Sequence, residues 1–315
     1  MKERILELLR GSEYVSGERM AEVLGVSRTA VWKHIRSLTA LGYEIDSQRN
    51  RGYRLISKPD LPVPEEVLPD LGTAVIGKEL RFHSSVGSTN RVAKRLVREK
   101  VKEGMVVIAS EQTEGRGRKD RNWSSPEGGL WFSVVLYPDL PPERGMLVTM
   151  ICSISVVEAV KEVTGLDLVI KWPNDLLIDG KKVCGILTEL EAEMDRINSC
   201  VVGIGLNVNN DIEEDLKGIA VSLKEARGER ISKVKLLRSI LKRMDAHYSV
   251  LKEGGHDMVR EMWKKMSGIE GRRVRVIEEK ETFSGEVMDI DGSGCLIIDL
   301  DGKRRRVVSG DIEYL

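Results

Sequence analysis

The chain has 315 residues, 41% of them hydrophobic and 32% charged, which is enough apolar material for folded cores and excludes a disordered chain. Fifty Lys and Arg residues balance fifty Asp and Glu residues, so the whole protein is not a polycation, although residues 1–58 carry eleven basic against seven acidic side chains. The four cysteines are scattered and have no neighbouring histidines, which excludes a disulfide framework and a structural zinc site.

Neither a secretory signal nor a membrane span is predicted. The chain opens with an amphipathic pattern rather than an apolar block, and its longest apolar stretch, residues 146–160, is interrupted by polar side chains and too short to cross a bilayer. We therefore expect a cytoplasmic protein that does not contact a membrane.

Two breaks divide the chain into three predicted units, residues 1–58, 65–268 and 269–315. Four of the nine prolines follow the first unit within eleven residues: Pro59, Pro62, Pro64 and Pro69. Because proline fixes φ and lacks an N–H donor, we expect a stiff linker there that is neither helix nor central strand. The second break follows Ser267, where helical patterning gives way to short alternating strands.

The first unit has the helical pattern of a helix-turn-helix. Its first helix is expected to end at Gly11 and Ser12, and its second to span residues 18–24. Gly25 suits the turn because glycine tolerates positive φ, and the Ser27 side chain can cap the third helix. The outward side of that third helix is basic.

After the third helix, residues 43–46 and 53–55 alternate in hydropathy and predict a hairpin with a basic tip, the wing of a winged helix-turn-helix. A cationic helix face suits the major groove, and a basic wing suits the phosphate backbone. The residues predicted to contact DNA are Ser27, Arg28, Thr29, Lys33, Arg36, Arg49 and Arg51. A protein-interaction module with a solvated charged face is the alternative interpretation.

In the second unit, an apolar strand at residues 105–109 precedes a loop in which Gly115 and Gly117 alternate with Arg116 and Arg118. Glycine lets the backbone approach a ligand closely, and arginine offers planar cationic donors to a carboxylate or phosphate. The loop is not a Walker A motif. It indicates an anionic ligand that is wrapped and released, although a solvent-exposed loop remains the alternative on this stretch alone.

Of four further segments, three are weak when taken singly, and one, residues 171–175, is specific at its distance from the glycine-arginine loop. Ser88-Thr89-Asn90 lies between an apparent strand and a helix and could be a helix cap. The others follow or form apolar strands: Lys171-Trp172-Pro173-Asn174-Asp175, Lys182-Val183-Cys184-Gly185-Ile186-Leu187 and Gly203-Ile204-Gly205-Leu206-Asn207-Val208. Glycine in a strand can also mark a bulge.

Together and in this order, with Gln112 and Trp123 around the glycine-arginine loop, these segments resemble the biotin protein ligase family. With the basic first unit, the chain resembles the branch that combines biotin ligase and biotin operon repressor, over nearly its full length. The resemblance implies an α+β fold: an N-terminal winged helix-turn-helix, a central mixed-sheet catalytic domain of the class II synthetase/biotin-ligase type, and a small C-terminal SH3-like β-barrel. It also implies the substrates biotin and ATP with Mg²⁺, which give biotinyl-5′-adenylate, followed by transfer of biotin to a lysine of a biotin carboxyl carrier protein domain.

The resemblance assigns roles to individual residues. Lys182, Arg118 and Arg116 are expected to be catalytic, because a carboxylate and a triphosphate repel each other unless fixed cations neutralise them. The expected biotin-binding residues are Ser88, Thr89, Asn90, Gln112, Gly115, Arg116, Gly117, Arg118, Lys182 and Gly185. The expected ATP- or adenylate-binding residues are Trp123, Lys171, Asn174, Asp175 and Asn207. No tightly bound metal is expected, and Asp175 would meet Mg²⁺ only through Mg-ATP.

The third unit reads as short strands with turns, which fits the SH3-like barrel of the family. Its last residues, 309–315, approximate the family's closing Gly-Glu-Val/Ile-Ser-Leu-Arg pattern but lack the arginine. With the basic first unit, the adenylate is expected to act as a corepressor that favours a homodimer on a two-fold operator DNA. The alternatives are a biotin-sensing repressor without ligase activity, a lipoate ligase, and a ligase with a vestigial DNA-binding unit.

Overall fold

The computed structural model describes residues 1–11 and 13–315, and they form two compact units, residues 1–69 and 70–315. Ser12, which was expected to help end the first helix, lies outside the described residues. The central and C-terminal segments belong to the same compact unit. The division into three domains with the boundaries given above therefore stays a prediction.

The N-terminal unit contains three helices, a hairpin and a final helical turn. Its elements are α1 (Lys2–Leu9), α2 (Gly17–Leu24), α3 (Arg28–Ala40), β1 (Glu44–Gln48), β2 (Gly52–Ser57) and α4 (Pro64–Val67). Gly25 has a φ of 67° and ends α2, and Ser27 Oγ accepts a hydrogen bond from the Ala30 N–H at 3.1 Å. Both the turn and the cap predicted from the sequence are confirmed, and Val31, Ile35 and Leu38 of α3 are buried.

The prediction that the proline-rich segment contains no helix was wrong. Pro64 occupies the first turn of α4, where the missing N–H costs nothing because no intrahelical acceptor faces it. Val67 is fully buried, and the Tyr43 hydroxyl donates to Glu66 Oε1 at 2.7 Å. This packing explains why a single helical turn forms between the other prolines.

The larger unit is built on a mixed sheet, as predicted, and this sheet has seven strands. Its strands are β3 (Leu80–Val86), β4 (Val106–Gln112), β5 (Leu130–Leu136), β6 (Val169–Lys171), β7 (Asp175–Ile178), β8 (Lys181–Ala192) and β9 (Ile197–Leu206). Their spatial order is β3-β4-β5-β9-β8-β7-β6, and only the β3–β4 pair is parallel. Gly185 of β8 lies opposite Gly205 of β9 in the ladder.

Five helices accompany this sheet: α5 (Thr89–Arg98), α6 (Met146–Thr164), α7 (Leu223–Arg227), α8 (Lys233–Lys252) and α9 (His256–Ser267). Helix α6 is buried along most of its length and packs against α8 and α9. Asp245 of α8 accepts hydrogen bonds from the N–H groups of Ala74, Val75 and Ile76 at 2.7–2.8 Å. This carboxylate fixes the start of the larger unit on α8.

The C-terminal segment forms a five-stranded antiparallel sheet in the order β13-β12-β11-β10-β14. Its strands are β10 (Arg273–Ile277), β11 (Thr282–Ile290), β12 (Leu296–Leu300), β13 (Lys303–Val307) and β14 (Asp311–Tyr314). The Trp172 indole N–H donates to Gly294 O at 3.1 Å and ties this sheet to the β6–β7 hairpin. Asp311, the first residue of β14, pairs with Ile277 of β10. The position of Asp311 matters for the functional site.

Candidate functional site

A cavity of about 360 Å³ lies over β8 and β9, where their two glycines face each other. Its volume is within the range of small-molecule sites. Thirteen residues predicted from the sequence line it: Ser88, Thr89, Asn90, Gln112, Arg116, Gly117, Arg118, Trp123, Asn174, Asp175, Lys182, Gly185 and Asn207. Segments separated by more than a hundred residues thus converge on one concave surface.

Two residues predicted to bind ligand do not line the cavity. Gly115 is buried in the loop after β4, where its carbonyl accepts the Trp123 N–H at 2.9 Å and a Cβ would lie 2.3 Å from Trp123 O. Glycine is required there so that the loop can close on itself. Lys171 ends β6 and pairs with Asp175 of β7 across a tight hairpin.

A buried polar network forms one end of the cavity. Gln112 Oε1 accepts hydrogen bonds from the Thr89 N–H at 2.8 Å and from Thr89 Oγ1 at 3.0 Å. Ser133 Oγ, on β5, lies 2.8 Å from Thr89 Oγ1 and donates to Asn90 Oδ1 at 2.6 Å. Asn90 Nδ2 donates to Glu189 Oε2 at 2.8 Å. These bonds fix the orientation of each side chain before any ligand binds.

The Ser88 side chain makes no capping hydrogen bond to α5. It is 6% exposed and lines the cavity. The alternative interpretation of residues 88–90 as an ordinary helix cap therefore has no support in the hydrogen bonding of this helix.

The three glycines of β8 and β9 leave room for two side chains of the site. A Cβ at Gly203 would lie 2.2 Å from Asn90 Oδ1, and one at Gly205 would lie 2.4 Å from Trp123 Nε1. A Cβ at Gly185 would lie 3.1 Å from the Trp123 ring. The Trp123 indole therefore rests on the glycine surface, and its buried Nε1 has no hydrogen-bond partner among the described residues.

Lys182 brings a cation to the middle of the cavity. Its Nζ lies 2.7 Å from Asp175 Oδ1 and 5.0 Å from the centre of the Trp123 ring. The contact with Asp175 is an ion pair without hydrogen-bond alignment, since Asp175 Oδ1 has no hydrogen-bond partner in the described part of the chain. The Lys182 side chain is one-third exposed and lines the cavity.

Arg116 and Arg118 come from residues 115–121, which we call the flap. Arg118 donates to Asn174 Oδ1 and to Gly310 O, both at 3.1 Å. Burial lowers the pKa of its guanidinium, while the charges of Asp311 and Asp175 partly oppose that shift, and a guanidinium stays charged at neutral pH. Arg116 is more exposed and lies 3.8 Å from Asp120.

Three basic residues of the flap contact one carboxylate of the C-terminal sheet. Asp311 lies 2.7 Å from Arg121, 3.3 Å from Lys119 and 3.6 Å from Arg118. Burial alone would raise the pKa of Asp311, but the hydrogen bonds and charges of Arg121 and Lys119 outweigh burial, and the pKa lies below its ordinary value. Lys119 and Asp120 both have a φ of 55°, a left-handed conformation that costs about 1 kcal/mol per residue. The ion pairs thus hold a strained loop.

Sequence reasoning missed the residues that close the other end of the cavity. The missed lining residues are 210–213, 216, 219 and 220, together with Arg121, Asn122, Ser124 and Asp311. Ile186, Leu187, Gly203, Ile204 and Gly205 also line the cavity and belong to the motifs already singled out in the sequence. The run of asparagines after β9 was an available signal: Asn210 Nδ2 donates to Asn207 Oδ1 at 3.1 Å, and both residues are buried. Ser133 was also missed, although a lone serine in a buried apolar strand was visible.

The described residues contain no cluster of three or more His, Cys, Asp or Glu side chains placed to hold a metal ion. Burial raises the pKa of the Cys152, Cys184 and Cys200 thiols, so they stay protonated at neutral pH and are poor nucleophiles. Within residues 1–11 and 13–315, no helix is both long and apolar enough to span a bilayer.

In the N-terminal unit, every residue predicted to contact DNA is exposed: Ser27, Arg28, Thr29, Lys33, Arg36, Arg49 and Arg51. Five of them lie on or cap α3, and the other two lie at the tip of the β1–β2 hairpin. The Arg51 guanidinium rests 4.2 Å from the centre of the Tyr14 ring and donates to Gln48 Oε1 at 3.1 Å. The geometry is that of a winged helix-turn-helix with a basic helix face and a basic wing.

Three sequence profiles match the chain. They are the Biotin/lipoate A/B protein ligase family over residues 82–207, an HTH domain over residues 2–54 and the Biotin protein ligase C terminal domain over residues 270–314.

Known proteins of this kind are similar along nearly the whole chain. The bifunctional ligase/repressor BirA of Bacillus subtilis (strain 168) is 39% identical over an alignment of 319 residues, covering 99% of this chain and 98% of that protein. The bifunctional ligase/repressor BirA of Escherichia coli (strain K12) is 28% identical, covering 98% of this chain and 95% of that protein. The structure of the biotin protein ligase from Aquifex aeolicus in complex with biotin and ATP has a TM-score of 0.66 and 31% identity, covering 76% of this chain and 99% of that chain. At this identity and coverage, the chain belongs to the biotin protein ligase family, in its branch of bifunctional ligase/repressors.

Proposed function

We propose that this protein uses ATP to attach biotin to a lysine of a biotin carboxyl carrier protein domain, and that it also binds operator DNA as a biotin-responsive repressor. The observation that carries the ligase proposal is that Arg116, Arg118 and Lys182 line the same cavity as the polar network around Thr89 and Gln112. One pocket thus offers polar groups to the neutral end of a ligand and positive charge to its anionic end.

In the first step, a carboxylate oxygen of biotin attacks the α-phosphorus of ATP, and pyrophosphate leaves with the electron pair of the broken P–O bond. Two anions must approach each other, which requires preorganised positive charge at the reacting atoms. We assign to Lys182 the bridging of the carboxylate and α-phosphate oxygens, and its position in the cavity lining beside Trp123 supports this role. Arg116 and Arg118 supply further charge from the flap.

The neutral ureido ring of biotin suits the polar network. A largely apolar pocket with a few convergent polar groups fixes the orientation of such a ligand. Ser88, Thr89 and Gln112 line the cavity, and the contacts of Asn90 with Ser133 and Glu189 hold the Asn90 amide in one orientation. We assign this end to the ring and the Lys182 end to the carboxylate.

In the second step, the neutral amine of the carrier lysine attacks the carbonyl carbon of the mixed anhydride, AMP leaves, and the nitrogen loses a proton. Water competes with this amine, so the anhydride must be covered. The flap can provide that cover, because Gly117 lines the cavity and its missing side chain allows the backbone to lie close to the ligand.

Trp123, Asn174 and Asn207 line the cavity and are proposed to contact the adenylate. Oxygen ligands suit Mg²⁺, which binds proteins through one or two carboxylates together with substrate phosphates. Asp175 fits that requirement because it lines the cavity, and it faces Lys182 as well. When bound with ATP, Mg²⁺ supplies charge neutralisation of the triphosphate.

The ligase proposal is tested by incubating the full chain with ATP, biotin and a biotin carrier domain, and measuring the carrier mass. We expect a mass increase of one biotin, dependent on ATP, and loss of at least a hundredfold in rate for Lys182→Ala, because one charge-stabilising donor contributes about that factor. Lys181→Ala is the matched control, since Lys181 directly precedes Lys182 on β8 and is not among the residues that line the cavity.

Binding of biotin without pyrophosphate release would instead identify a biotin-sensing repressor that lacks ligase activity. Modification of a lipoyl domain with lipoate and not of the biotin carrier would identify a lipoate ligase. Either result would refute the ligase proposal.

The repressor proposal rests on the basic exposed face of α3 and the basic hairpin tip. We propose that the adenylate favours a homodimer, since two helix-turn-helix units read half-sites of a two-fold operator. A gel-shift titration against DNA upstream of biotin genes, with and without biotin plus ATP, tests this. Tighter binding with both ligands is expected. DNA binding that does not respond to biotin and ATP would refute the proposed control by the adenylate. Absence of any DNA binding would identify a vestigial unit.

A further inference from the structure

One large aromatic side chain of the N-terminal unit lies on the surface. Trp32 of α3 is 45% exposed, whereas Trp131, Trp172 and Trp263 are at most 1% exposed. A tryptophan buries more apolar area than most residues when it contacts a partner, and it is enriched at binding sites. Its exposure on the helix that carries the basic residues calls for a function beyond core packing.

Trp32 occupies the centre of the outward face of α3. Thr29, Trp32, Lys33 and Arg36 are spaced by three, four and seven residues from the first of them, so they share one face of the helix. All four are exposed. The buried residues of α3 lie elsewhere on the helix, so this face does not contribute to the core.

Arg36 is stacked on this tryptophan. Its guanidinium carbon lies 4.9 Å from the centre of the Trp32 ring. A stacked guanidinium keeps the N–H donors at its edge free for a planar acceptor. The ring therefore holds Arg36 in a conformation suited to a phosphate or a guanine edge.

We propose that Trp32 is a DNA-contacting residue, whose indole packs against the sugar or a thymine methyl group in the major groove while Arg36 donates from its edge. The charge of α3 favours DNA over a protein partner: residues 28–40 contain three Lys or Arg residues and no Asp or Glu. This inference rests on the proposed repressor function and deepens it. The other residues proposed to contact DNA are cationic or polar, and Trp32 adds an apolar contact in the groove.

The probe is a duplex enriched from a random pool by the wild-type full chain in the presence of biotin and ATP. Dissociation constants are measured over a series of salt concentrations for the wild type, Trp32→Ala, Trp32→Phe and Lys33→Gln. Carrier biotinylation and the melting temperature are followed for each variant. Acrylamide quenching of tryptophan fluorescence with and without the duplex gives a direct readout, with Trp32→Phe as the reference.

We expect Trp32→Ala to weaken binding of the enriched duplex about tenfold, as for the loss of one good base-edge contact, and Trp32→Phe to weaken it less. The salt slope of Trp32→Ala should equal that of the wild type because no charge is removed, whereas Lys33→Gln should reduce the slope by about one. The duplex should protect the wild-type fluorescence from acrylamide, and the protected part should be missing in Trp32→Phe.

Equal affinity of the wild type and Trp32→Ala for the enriched duplex would overturn this inference and leave the repressor function standing. Unchanged quenching on DNA binding would overturn it too, and would favour a protein partner for the ring. Failure of the wild type to enrich any duplex would overturn the repressor function itself, and the role of Trp32 with it.

Discussion

The contact between the flap and Asp311 leads to a prediction about the free protein. Asp311→Asn removes the negative charge that faces Arg118, Lys119 and Arg121 but keeps the size of the side chain. The flap should then leave the C-terminal sheet more often, because its left-handed residues favour release and its cations are no longer compensated.

The magnitude follows from the exposure of the groups. Asp311 is 27% exposed and its partners are 25–67% exposed at the side-chain level, so each pair contributes in the range of surface ion pairs, about 0.2–1 kcal/mol. Three pairs sum to roughly 1.4 kcal/mol, which corresponds to about a tenfold rise in the population of the open flap. Because exposed pairs are screened by salt, 0.5 M NaCl added to the wild type should reproduce part of the effect.

Limited trypsin digestion measures this population, because the flap offers cleavage after four basic residues and cleavage tracks the open state when opening is fast. The matched control is Glu313→Gln, which removes an ion pair of the same strand, between Glu313 and Arg275 at 3.0 Å, without touching the flap. We expect flap cleavage of Asp311→Asn to be about tenfold faster than that of Glu313→Gln. Equal cleavage rates for the two variants would refute the reasoning that Asp311 holds the flap.

Further expectations concern stability, ligand affinity and pH. Ser133→Ala should cost about 1–3 kcal/mol in urea unfolding, because Asn90 Oδ1 loses a buried donor, and should raise the KM for biotin more than it lowers kcat; an unchanged biotin KM would contradict the proposed network. Gly205→Ala should raise the KM for ATP, measured by pyrophosphate release, because its Cβ would displace the Trp123 indole; a selective effect on biotin would contradict this. Asp245→Ala should destabilise the protein by about 3 kcal/mol or more, since three backbone N–H groups lose a buried acceptor; a loss below about 1 kcal/mol in urea unfolding would contradict it. The lowered pKa of Asp311 means that its contacts are fully present above the ordinary value of about 4 and are lost as pH falls through the lower folded-state pKa; the hydrogen-exchange protection factors of the flap amides, corrected for the intrinsic pH dependence of exchange, should therefore be constant between pH 5 and 8 and fall only in acid.

Local chemistry explains why much of the site was predictable. Glycine, arginine and lysine in the segments around residues 115–118 and 182–185 have few structural reasons to occur in those patterns, and the structure brings both segments to one cavity. The turn at Gly25 and the cap at Ser27 were predictable for the same reason, since each depends on a backbone requirement that few residue types meet.

The missed features depend on contacts between distant segments. Arg118 and Gly310 are 192 residues apart in the chain, and no periodicity or composition near Asp311 indicates that it faces the flap. Residue propensity also gave a wrong prediction at Pro64, where packing determines the local structure. Pro64 begins a helical turn because Val67 is buried and the Tyr43 side chain binds the turn. Lys171 belongs to a motif, yet it is not among the residues that line the cavity.

The hydrogen bonds of the Asn90 amide constrain any redesign of this pocket. Its oxygen accepts from Ser133, and its nitrogen donates to both Glu189 and the Leu187 carbonyl, so exchanging Asn90 alone removes three hydrogen bonds at once. A variant meant to accept a biotin analogue with a different ring must alter these positions as a group, and single-site libraries at Asn90 should return mostly misfolded or inactive proteins. Pairwise libraries that vary Asn90 together with Ser133 are the smallest search in which compensating hydrogen bonds can be found.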